Sequence, residues 1–509
     1  MYKNLRVPIL KFLIPYCIGI ALAKHFEIPA TSLLLLPLTL LIWFYNRHLA
    51  IYAFSIFSFL FLSWSINAPT VVAQTLPFDE KLHLNVSCDA IRKQTKDQVQ
   101  IETKVLNQKI ILYGRKTSPF TIAPGDKLQC SNIKITPLDT THQVFGAYQK
   151  YLLSKGIVGQ GFVKLEPENR TKEGTSLSSF LYRFRALTIK KIESKGILSK
   201  ETAGIFFALV LGEKSFLKRA DKEAYKNSGV IHVLAISGLH VGIIYLFLRL
   251  LFFWGPKRTT GFQLMVTILV LLCYAILAGN TPSVLRATLM CILIQVGNYR
   301  HEDSSSLNVV LCTAFLLLLC EGEQLYDVGF QLSFAAVISI VFSNPQLKRL
   351  KGHLRFLPRW KLKSISFIVD LTYLSVAAFI GTFPLLLYHF QAVQVGSIWN
   401  SIVVVPLITV AVLAGALVVC LQWQNELTSF LLQLEQLILN VCNHYIEASN
   451  SWGQIVLYGA FSSTSLLAFY LLILLLLWPH ESWRNKLVLC AFSLTITLHI
   501  DLLWEHFYS

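Results

Sequence analysis

Polar residues interrupt three apolar stretches of this sequence. The first stretch holds Gly229, His232, Ser237, Gly238 and His240. If this stretch is one helix, at about 100° per residue, then Gly229, His232, Ser237 and His240 share a small, polar face. Ser237 and His240 have the residue types of a nucleophile and its base, but no carboxylate lies nearby in sequence to orient the histidine. We therefore predict no catalytic residue here, and helix packing through small residues is the alternative to a functional face.

The second and third stretches place ionisable residues inside apolar segments. Arg286 lies near the start of one segment, and Asp327 and Gln331 lie near the start of another. Ionisable groups at membrane depth are costly and usually face a partner or a water-filled path. Arg286 and Asp327 are therefore either a structural ion pair or part of a path for a polar or anionic solute. Asp370 and His389 raise the same question.

Several kinds of chemistry have no motif in these 509 residues. The sequence contains no P-loop, HExxH, paired CxxC, GxSxG or EF-hand pattern. We predict no cofactor, no metal site and no hydrolysis of ATP. Cys88 and Cys130 lie on predicted strands, and a disulfide between them is left open.

The elements that must position these residues are mostly membrane spans. Hydrophobic residues make up 54% of the chain and charged residues 14%, which excludes a soluble enzyme. Runs such as Ile398–Leu421 are long enough to cross a hydrocarbon core of about 30 Å. We predict about three spans within residues 1–67. After residue 200 we predict spans over Val230–Trp254, Phe262–Ala278, Val284–Gly297, Leu307–Cys320, Gly329–Phe342, Ile365–Phe390, Ile398–Leu421, Ile455–Trp478 and Leu487–Leu503.

The distribution of charge predicts the orientation of the chain. Residues 344–364 carry seven Lys or Arg and no acid, which is typical of a cytoplasmic loop. Three spans from a cytoplasmic N-terminus place residues 68–200 outside the cytoplasm. The helix expected over Leu427–Glu447 is rich in polar residues, so it lies on a surface or lines an aqueous lumen, and the topology after residue 425 stays open.

The sequence predicts two further units between the membrane segments. Residues 68–168 contain five short alternating stretches, Leu82–Ile91, Gln98–Leu106, Lys109–Gly114, Lys127–Leu138 and Val158–Glu166, with a helical insert over Gly146–Ser154. We expect an OB-like β domain. Residues 169–200 contain a basic amphipathic helix, Ser176–Lys195, of the kind that lies along a bilayer. The chain is thus predicted to be a polytopic α-helical membrane protein with an extracytoplasmic, OB-like domain near its N-terminus, followed by a multi-helix domain over residues 201–509.

Several of these segments resemble the ComEC competence family, the inner-membrane DNA-uptake channel of naturally transformable bacteria. The resemblance is most specific in the run His232-Val-Leu-Ala-Ile-Ser-Gly-Leu-His240, and it covers nearly the whole chain. It also includes Leu211-Gly212-Glu213, Gly279…Pro282…Leu285-Arg286-Ala287, Gly329–Phe334, Pro384…Phe390, Asn400…Pro406 and Pro124-Gly125-Asp126. Many family members end in a metallo-β-lactamase-like domain with an HxHxDH cluster. No such cluster occurs here, so we expect the form without that domain. Glu321-Gly322-Glu323 also replaces the more usual Asp-Pro.

The resemblance implies a channel in the inner membrane that passes single-stranded DNA during natural transformation. Its implied lining residues are Gly229, His232, Ser237, Gly238, His240, Arg286, Asp327 and Gln331. Residues 68–200 carry 21 Lys or Arg against 11 Asp or Glu, which suits a polyanion. Lys93, Lys96, Arg115 and Lys116 are the expected phosphate contacts, with Tyr113, Phe120, Phe145 and Tyr148 as aromatic residues that stack on bases or belong to the core.

The implied partners are single-stranded DNA, the lipid bilayer, an outer DNA receptor, a separate nuclease and a cytoplasmic motor or helicase, and a homo-oligomer is left open. The rival interpretation is a small-solute transporter or a polytopic membrane transferase whose outer domain binds another protein. In that case the outer domain is a solvated basic surface without a nucleic-acid ligand. A third is a degenerate relative retained for envelope structure.

Overall fold

The computed structural model describes residues 81–470 with short gaps, together with seven positions between residues 9 and 20. The gaps are 95–97, 106–107, 119, 139–148, 150–151, 153–155, 235, 253–259, 301–304, 354–358, 423–424, 453–454, 460, 463 and 467. Several predictions therefore lie outside the described residues: nearly all of residues 1–67, Lys96, Phe145, Tyr148, most of the insert Gly146–Ser154, and the chain after residue 470.

Residues 81–172 form a β region with one seven-stranded sheet. Its strands are β1 Lys81–Ser87, β2 Ala90–Gln94, β3 Gln98–Val105, β4 Gln108–Lys116, β5 Lys127–Pro137, β6 Ile157–Leu165 and β7 Arg170–Lys172. The order is β1-β5-β6-β4-β3-β2, with β7 added beside β5. The β4–β6 pair is parallel, whereas the other pairs are antiparallel. Alternating residues such as Ile101, Leu112 and Ile133 fill one core.

The first predicted strand is two strands in the structure. Leu82–Ile91 was expected to be continuous, but β1 pairs with β5 and β2 pairs with β3. The chain changes partner at Cys88 and Asp89, whose N–H groups donate to the carbonyls of Asp126 and Glu102, each at 2.9 Å. The other four predicted strands are confirmed within a few residues.

The structure does not form the disulfide that the sequence left open. Both thiols, of Cys88 and Cys130, are free and buried. Leu84 lies opposite Cys130, and Cys88 lies opposite Asp126, four residues further along β5. Four residues of strand span about 13 Å, whereas a disulfide needs Cα atoms within about 7 Å.

The rest of the described chain is mostly helical. Its helices are α1 Leu177–Lys195, α2 Lys200–Val210, α3 Arg219–Asn227, α4 Gly238–Phe252, α5 Gly261–Leu277, α6 Pro282–Arg300, α7 Ser306–Cys320, α8 Val328–His353, α9 Arg359–Phe390, α10 Ser397–Leu421 and α11 Asn425–Ser451. Helix α8 packs along α9, and α10 packs along α11. We refer to residues 200–458 as the helical region. Short strands β8 Ala392–Gln394 and β9 Val456–Tyr458 pair within it.

Three helices are long and apolar enough to cross a membrane. They lie in Val328–Gly352, Ile365–Phe390 and Ser397–Leu421, and three shorter apolar helices lie in Gly238–Leu251, Gly261–Leu277 and Ser306–Cys320. Large apolar side chains on the outside of the helical region, among them Leu250 of α4 and Phe367 of α9, are exposed. An exterior with so many exposed apolar side chains is typical of a membrane protein.

Two of the predicted spans begin in the wrong place. Val230–Trp254 was expected to be one helix, but a 3-10 turn over Ile231–Val233 precedes α4, which begins at Gly238. The span expected from Ile455 begins instead with strand β9, because Val456–Tyr458 pairs with Ala392–Gln394. Backbone pairing with β8 overrides the apolar composition of that segment.

Candidate functional site

Gly229, His232, Ser237 and His240 do not share one helical face. Gly229 has a φ of +74° and ends helix α3. The N–H of Val230 donates to the carbonyl of Tyr225, and the N–H of Gly229 donates to that of Lys226, each at 3.0 Å. This is the hydrogen-bond pattern of a Schellman motif, which needs a left-handed residue that glycine supplies without strain. The chain therefore turns at Gly229, and the prediction of a common polar face is wrong.

His240 is fully buried, and its side chain caps the start of α4. The backbone N–H of Ser237, the residue before the helix, donates to Nδ1 of His240 at 2.8 Å. A side chain at the third helical position that accepts from the amide of the residue before the helix satisfies an otherwise unpaired N–H group. The bond comes from the backbone of Ser237 and not from its hydroxyl, so this pair does not have the geometry of a nucleophile and its base. Nε2 of His240 has no partner among the described residues.

Arg286, Asp327, Gln331 and His389 meet around the start of α8. Asp327 precedes α8, and its Oδ1 accepts from the N–H of Phe330 at 2.9 Å, which is an N-cap. A Cβ built on Gly329 would lie 3.0 Å from that oxygen and 4.0 Å from Nη2 of Arg286. Arg286 is 5% exposed, so its guanidinium lies inside the protein near the capping carboxylate.

Gln331 joins this group to the end of α9. Its Oε1 lies 2.8 Å from Nε2 of His389, and its Nε2 donates to the carbonyl of Leu325 at 3.0 Å. Asp370, which raised the same question in the sequence, lies elsewhere and pairs with Lys351 at 2.5 Å. We call Arg286, Asp327, Gln331 and His389 the helix-end cluster.

The other predicted lining residues lie at neighbouring helix ends. A Cβ on Gly238 would lie 3.3 Å from Cβ of Ala287 in the second turn of α6, and one on Gly229 would lie 2.7 Å from Cβ of Ser397 at the start of α10. His232 lies between them in the 3-10 turn Ile231–Val233, where its side chain is exposed. The starts of α4, α6, α8 and α10 and the end of α9 therefore meet at one end of the helical region.

Sequence reasoning did not include Asn400 among the site residues. This side chain is nearly buried in α10, donates from Nδ2 to the carbonyl of Ser228 at 2.8 Å, and accepts from the hydroxyl of Tyr445 at 3.1 Å. It joins α3, α10 and α11 beside the turn at Gly229. An asparagine within an otherwise apolar span was the available signal.

Helix α1 connects this end of the helical region to the β region, which confirms the predicted helix Ser176–Lys195. Arg183 and Arg185 are two residues apart and so point in nearly opposite directions. Nη2 of Arg183 binds Oδ1 of the buried Asp126 at 2.6 Å. Nη2 of Arg185 lies 3.4 Å from Oε2 of Glu213, and its Nη1 donates to the carbonyl of Leu277 at the end of α5.

The apolar side of α1 is divided between two surroundings. Ile189 and Ile192 belong to the core of the helical region, whereas Phe180 and Leu187 are exposed. The helix is therefore held by protein contacts along one side. That its other side lies along a bilayer stays a prediction.

The predicted phosphate contacts occupy different environments. Arg115 is exposed on β4. Lys116 is 7% exposed, and its Nζ donates to the carbonyl of Phe120 at 2.8 Å and lies 5.7 Å from the centroid of that ring. A phosphate contact by Lys116 would require those interactions to break. Lys93 lies on β2 opposite Gln100.

An aromatic pair lies beside Arg115. The rings of Tyr113 on β4 and Phe162 on β6 stack with centroids 5.3 Å apart at an angle of 23°. Phe162 was not among the predicted aromatic residues. The alternation of β6, in which Phe162 and Lys164 are exposed while Gly161 and Val163 are buried, was the signal that could have found it.

Comparisons with known proteins agree with the segments described above. The family model described as Competence protein matches residues 209–483, more than half of the chain. ComE operon protein 3 of Bacillus subtilis is 30% identical over 313 residues, covering 60% of this chain and 37% of that protein. Recombination protein 2 of Haemophilus influenzae is 26% identical over 307 residues, covering 56% and 36%.

An uncharacterized protein of Aquifex aeolicus is 30% identical over 236 residues, covering 46% of this chain and 51% of that protein. The chain therefore spans between 36% and 51% of the length of these curated relatives. No solved structure matches the chain.

Proposed function

The chain belongs to the competence protein family, and we propose that it passes single-stranded DNA across the cytoplasmic membrane during natural transformation. The family name and the name Recombination protein 2 both fit a role in acquiring DNA. We propose no chemical step for this chain. An outer receptor, a separate nuclease and a cytoplasmic motor or helicase would act with it.

We place the chain in the inner membrane as a multi-pass protein with the β region outside the cytoplasm. Helices α8, α9 and α10 have the length and hydropathy for this placement. The basic segment around Lys348, Arg349 and Lys351, at the end of α8 away from the helix-end cluster, fits a cytoplasmic loop. The helix-end cluster and the β region then both lie towards the outer face.

The strand order supports an OB-like barrel for the β region. Strands β1 and β2 are consecutive and pair with opposite ends of the row β5-β6-β4-β3. Counted as one bent strand, they join the two ends of the row and give five strands in a closed order. Small barrels of this kind bind oligonucleotides on an open strand face.

One observation carries the proposal for a route. Helix α1 attaches the basic β region, through Arg183 and Arg185, to the end of the helical region that contains Arg286 and Gln331. DNA held by the β region would enter between the helices at this end. Arg286 supplies positive charge at that point, and charges along a conduction path must bind phosphate weakly enough to release it. His240 and Gly238 hold the start of α4 beside it.

Uptake of labelled DNA into a nuclease-resistant form, in a strain whose only copy carries a variant, tests this function. Arg286→Ala should lower uptake by about tenfold or more, the effect expected for losing about 1.4 kcal/mol of charge stabilisation. Arg286→Lys should retain part of it, because the charge remains. Arg300→Ala, an exposed arginine at the other end of the same helix, is the matched control.

Membrane abundance of each variant separates loss of function from loss of protein. Normal uptake by Arg286→Ala at normal abundance would show that the strand does not pass Arg286. A deletion strain that still takes up DNA as well as its parent would contradict the function as a whole.

A further inference from the structure

Two rows of residues cross neighbouring strands on one side of the β region, the first over four strands and the second over three. In the first row Gln100 lies opposite Tyr113, Tyr113 opposite Phe162, and Phe162 opposite Lys134. In the second row Gln98 lies opposite Arg115, and Arg115 lies opposite Lys164. Residues paired in register point to the same side of a sheet, so all of them share one surface. We call Tyr113, Arg115, Lys134, Phe162 and Lys164 the aromatic–basic face.

The two rings of the aromatic pair differ in exposure, because Tyr113 is half-buried against Ile111 and its neighbours whereas Phe162 is exposed. The Phe162 side chain is 63% exposed, although it lies on β6 between two paired strands and not at the rim of the sheet. The opposite side of the same strands is filled by Leu112, Val163 and their neighbours. Leaving a ring of this size in water forgoes about 1.5–3 kcal/mol of burial. The stacked pair therefore presents an apolar surface, mainly the Phe162 ring, outside the core around Leu112.

The like charges of this face repel one another and so lower the stability of the fold. Arg115 and Lys164 lie directly opposite each other on adjacent strands, and like charges in that position repel. Lys134 lies opposite Phe162 and adds a third cation to the face. Glu166 lies 3.6 Å from Nζ of Lys164 in an exposed pair, which offsets little of the repulsion. An anion bound between the cations would remove the repulsion.

From these features we propose that the aromatic–basic face binds single-stranded nucleic acid, with bases stacked on Tyr113 and Phe162 and phosphates held by Arg115, Lys134 and Lys164. The platform requires unpaired bases, because the faces of bases in a duplex are already stacked on their neighbours. Stacking accepts every base, because each base has a π-face, so we expect a weak sequence preference. The inference rests on the proposed role of the β region in engaging DNA, and it names the surface and the strandedness.

The full-length protein in detergent tests the proposal with three fluorescent probes of equal length. These are a single-stranded oligodeoxynucleotide, the same sequence as duplex, and an abasic strand with the same phosphates. The parent should bind the single strand more tightly than the duplex or the abasic strand. Phe162→Ala should weaken binding of the single strand about 5- to 150-fold, the range expected for one stacking contact.

Two controls separate stacking from a loss of fold. Phe162→Ala should leave binding of the abasic strand within about twofold of the parent, because the cations remain in place. Phe180→Ala removes an equally exposed phenylalanine from α1, outside the face, and should leave binding of all three probes unchanged.

Several outcomes would overturn the proposal. Equal affinity of the parent for single strand and duplex, or equal loss of abasic and single-stranded binding in Phe162→Ala, would rule out the stacking platform. Binding of anionic vesicles that falls with Phe162→Ala while DNA binding does not would assign the face to the membrane surface. If cells take up DNA but no DNA binds to the aromatic–basic face, the proposed transport function stands and the proposed binding surface is wrong. If DNA binds to this face but cells take up none, the binding surface stands and the transport function is wrong.

Discussion

The β region and the helical region use their polar residues in opposite ways. In the helical region, several of the residues that stand out in an apolar sequence form hydrogen bonds at helix ends, and His240 and Arg286 are buried. His240 accepts from the amide before α4, Asp327 caps α8, and Gln331 joins Leu325 to His389. In the β region, Arg115, Phe162 and Lys164 are exposed on one face and are unremarkable in their sequence context.

The difference follows from how each element satisfies its backbone. A helix leaves unpaired N–H groups at its start, and in an apolar surrounding these must be met by side chains. Polar residues at helix ends are therefore needed for the fold itself. A strand within a sheet pairs its backbone with its neighbours, so its outward side chains are available for a ligand. The polar residues that stand out in the helical sequence thus stabilise the helix ends around the site. The exposed residues of the β sheet instead form a surface that is available to a ligand.

The largest expected effect tests whether the two regions are held together as the structure indicates. Asp126 is fully buried and accepts from the amides of Ala123 and Gly174 and from Arg183. Asp126→Ala leaves these donors unpaired, so we expect a loss of about 3–5 kcal/mol in the free energy of unfolding of the β region. Hydrogen exchange measured separately for the β region and the helical region checks this.

Glu173→Ala is the matched control for Asp126→Ala. Glu173 binds the same arginine at 2.9 Å, but its side chain is 55% exposed, and an exposed pair contributes about 1 kcal/mol or less. Similar losses from both substitutions would mean that Asp126 does not anchor the β region to α1.

A second pair of substitutions compares packing at two glycines with the same backbone conformation. Gly212 in the helical region and Gly156 in the β region have φ of +73° and +71°. A Cβ at Gly212 would lie 2.5 Å from the carbonyl oxygen of Ala278, whereas a Cβ at Gly156 would meet no atom of the described residues within 4 Å. Gly156→Ala should cost about 1–2 kcal/mol from the positive φ alone, and Gly212→Ala should cost about 1–3 kcal/mol more.

Thermal stability of the two purified alanine variants, each relative to the parent, measures this difference. If Gly156→Ala proved as damaging as Gly212→Ala, the close approach of α2 and α5 at Gly212 would not matter for stability.

The sequence predicted more of the elements than of the site. Period-2 alternation predicted four of the strands, because a sheet with one buried face requires it. The break at Cys88 was missed because no glycine or proline marks it and the change of partner depends on Asp126, 38 residues further on. The helix predicted over Val230–Trp254 begins only at Gly238, because the chain turns at Gly229 and forms a 3-10 turn over Ile231–Val233.

The aromatic–basic face depends on strand order, which the sequence does not contain. Tyr113 and Phe162 are 49 residues apart and meet because β4 and β6 are parallel neighbours. Arg115 was predicted as a phosphate contact from its position near a strand end, and it does lie on this face. Lys116 follows it directly, but the alternation of the strand turns it towards Phe120.

A third prediction uses the buried thiols to follow the β region alone. Burial raises the pKa of Cys130 from 9.0 to about 11. Above pH 9 the unfolded thiol loses its proton while the folded thiol keeps it, so stability is retained below pH 9 and falls by up to about 1.4 kcal/mol per pH unit towards pH 11. Hydrogen exchange of the β region at pH 8, 9 and 10, in the parent and in Cys130→Ala, should show a smaller loss in the variant.

The smallest expected effect comes from comparing two arginines, one in each region. The comparison separates DNA binding by the β region from DNA passage through the helical region. Arg115→Gln removes one exposed phosphate contact, so the slope of log affinity for single-stranded DNA against log salt should become shallower by about 0.7. Arg286→Gln should leave that slope and the affinity unchanged, because its guanidinium is buried in the helical region, while uptake by cells falls. Titrations of both variants at three salt concentrations, beside the uptake assay, measure the two effects. A changed slope with Arg286→Gln would place DNA at the helix-end cluster in the resting protein, and the two regions would then form one binding site instead of two successive ones.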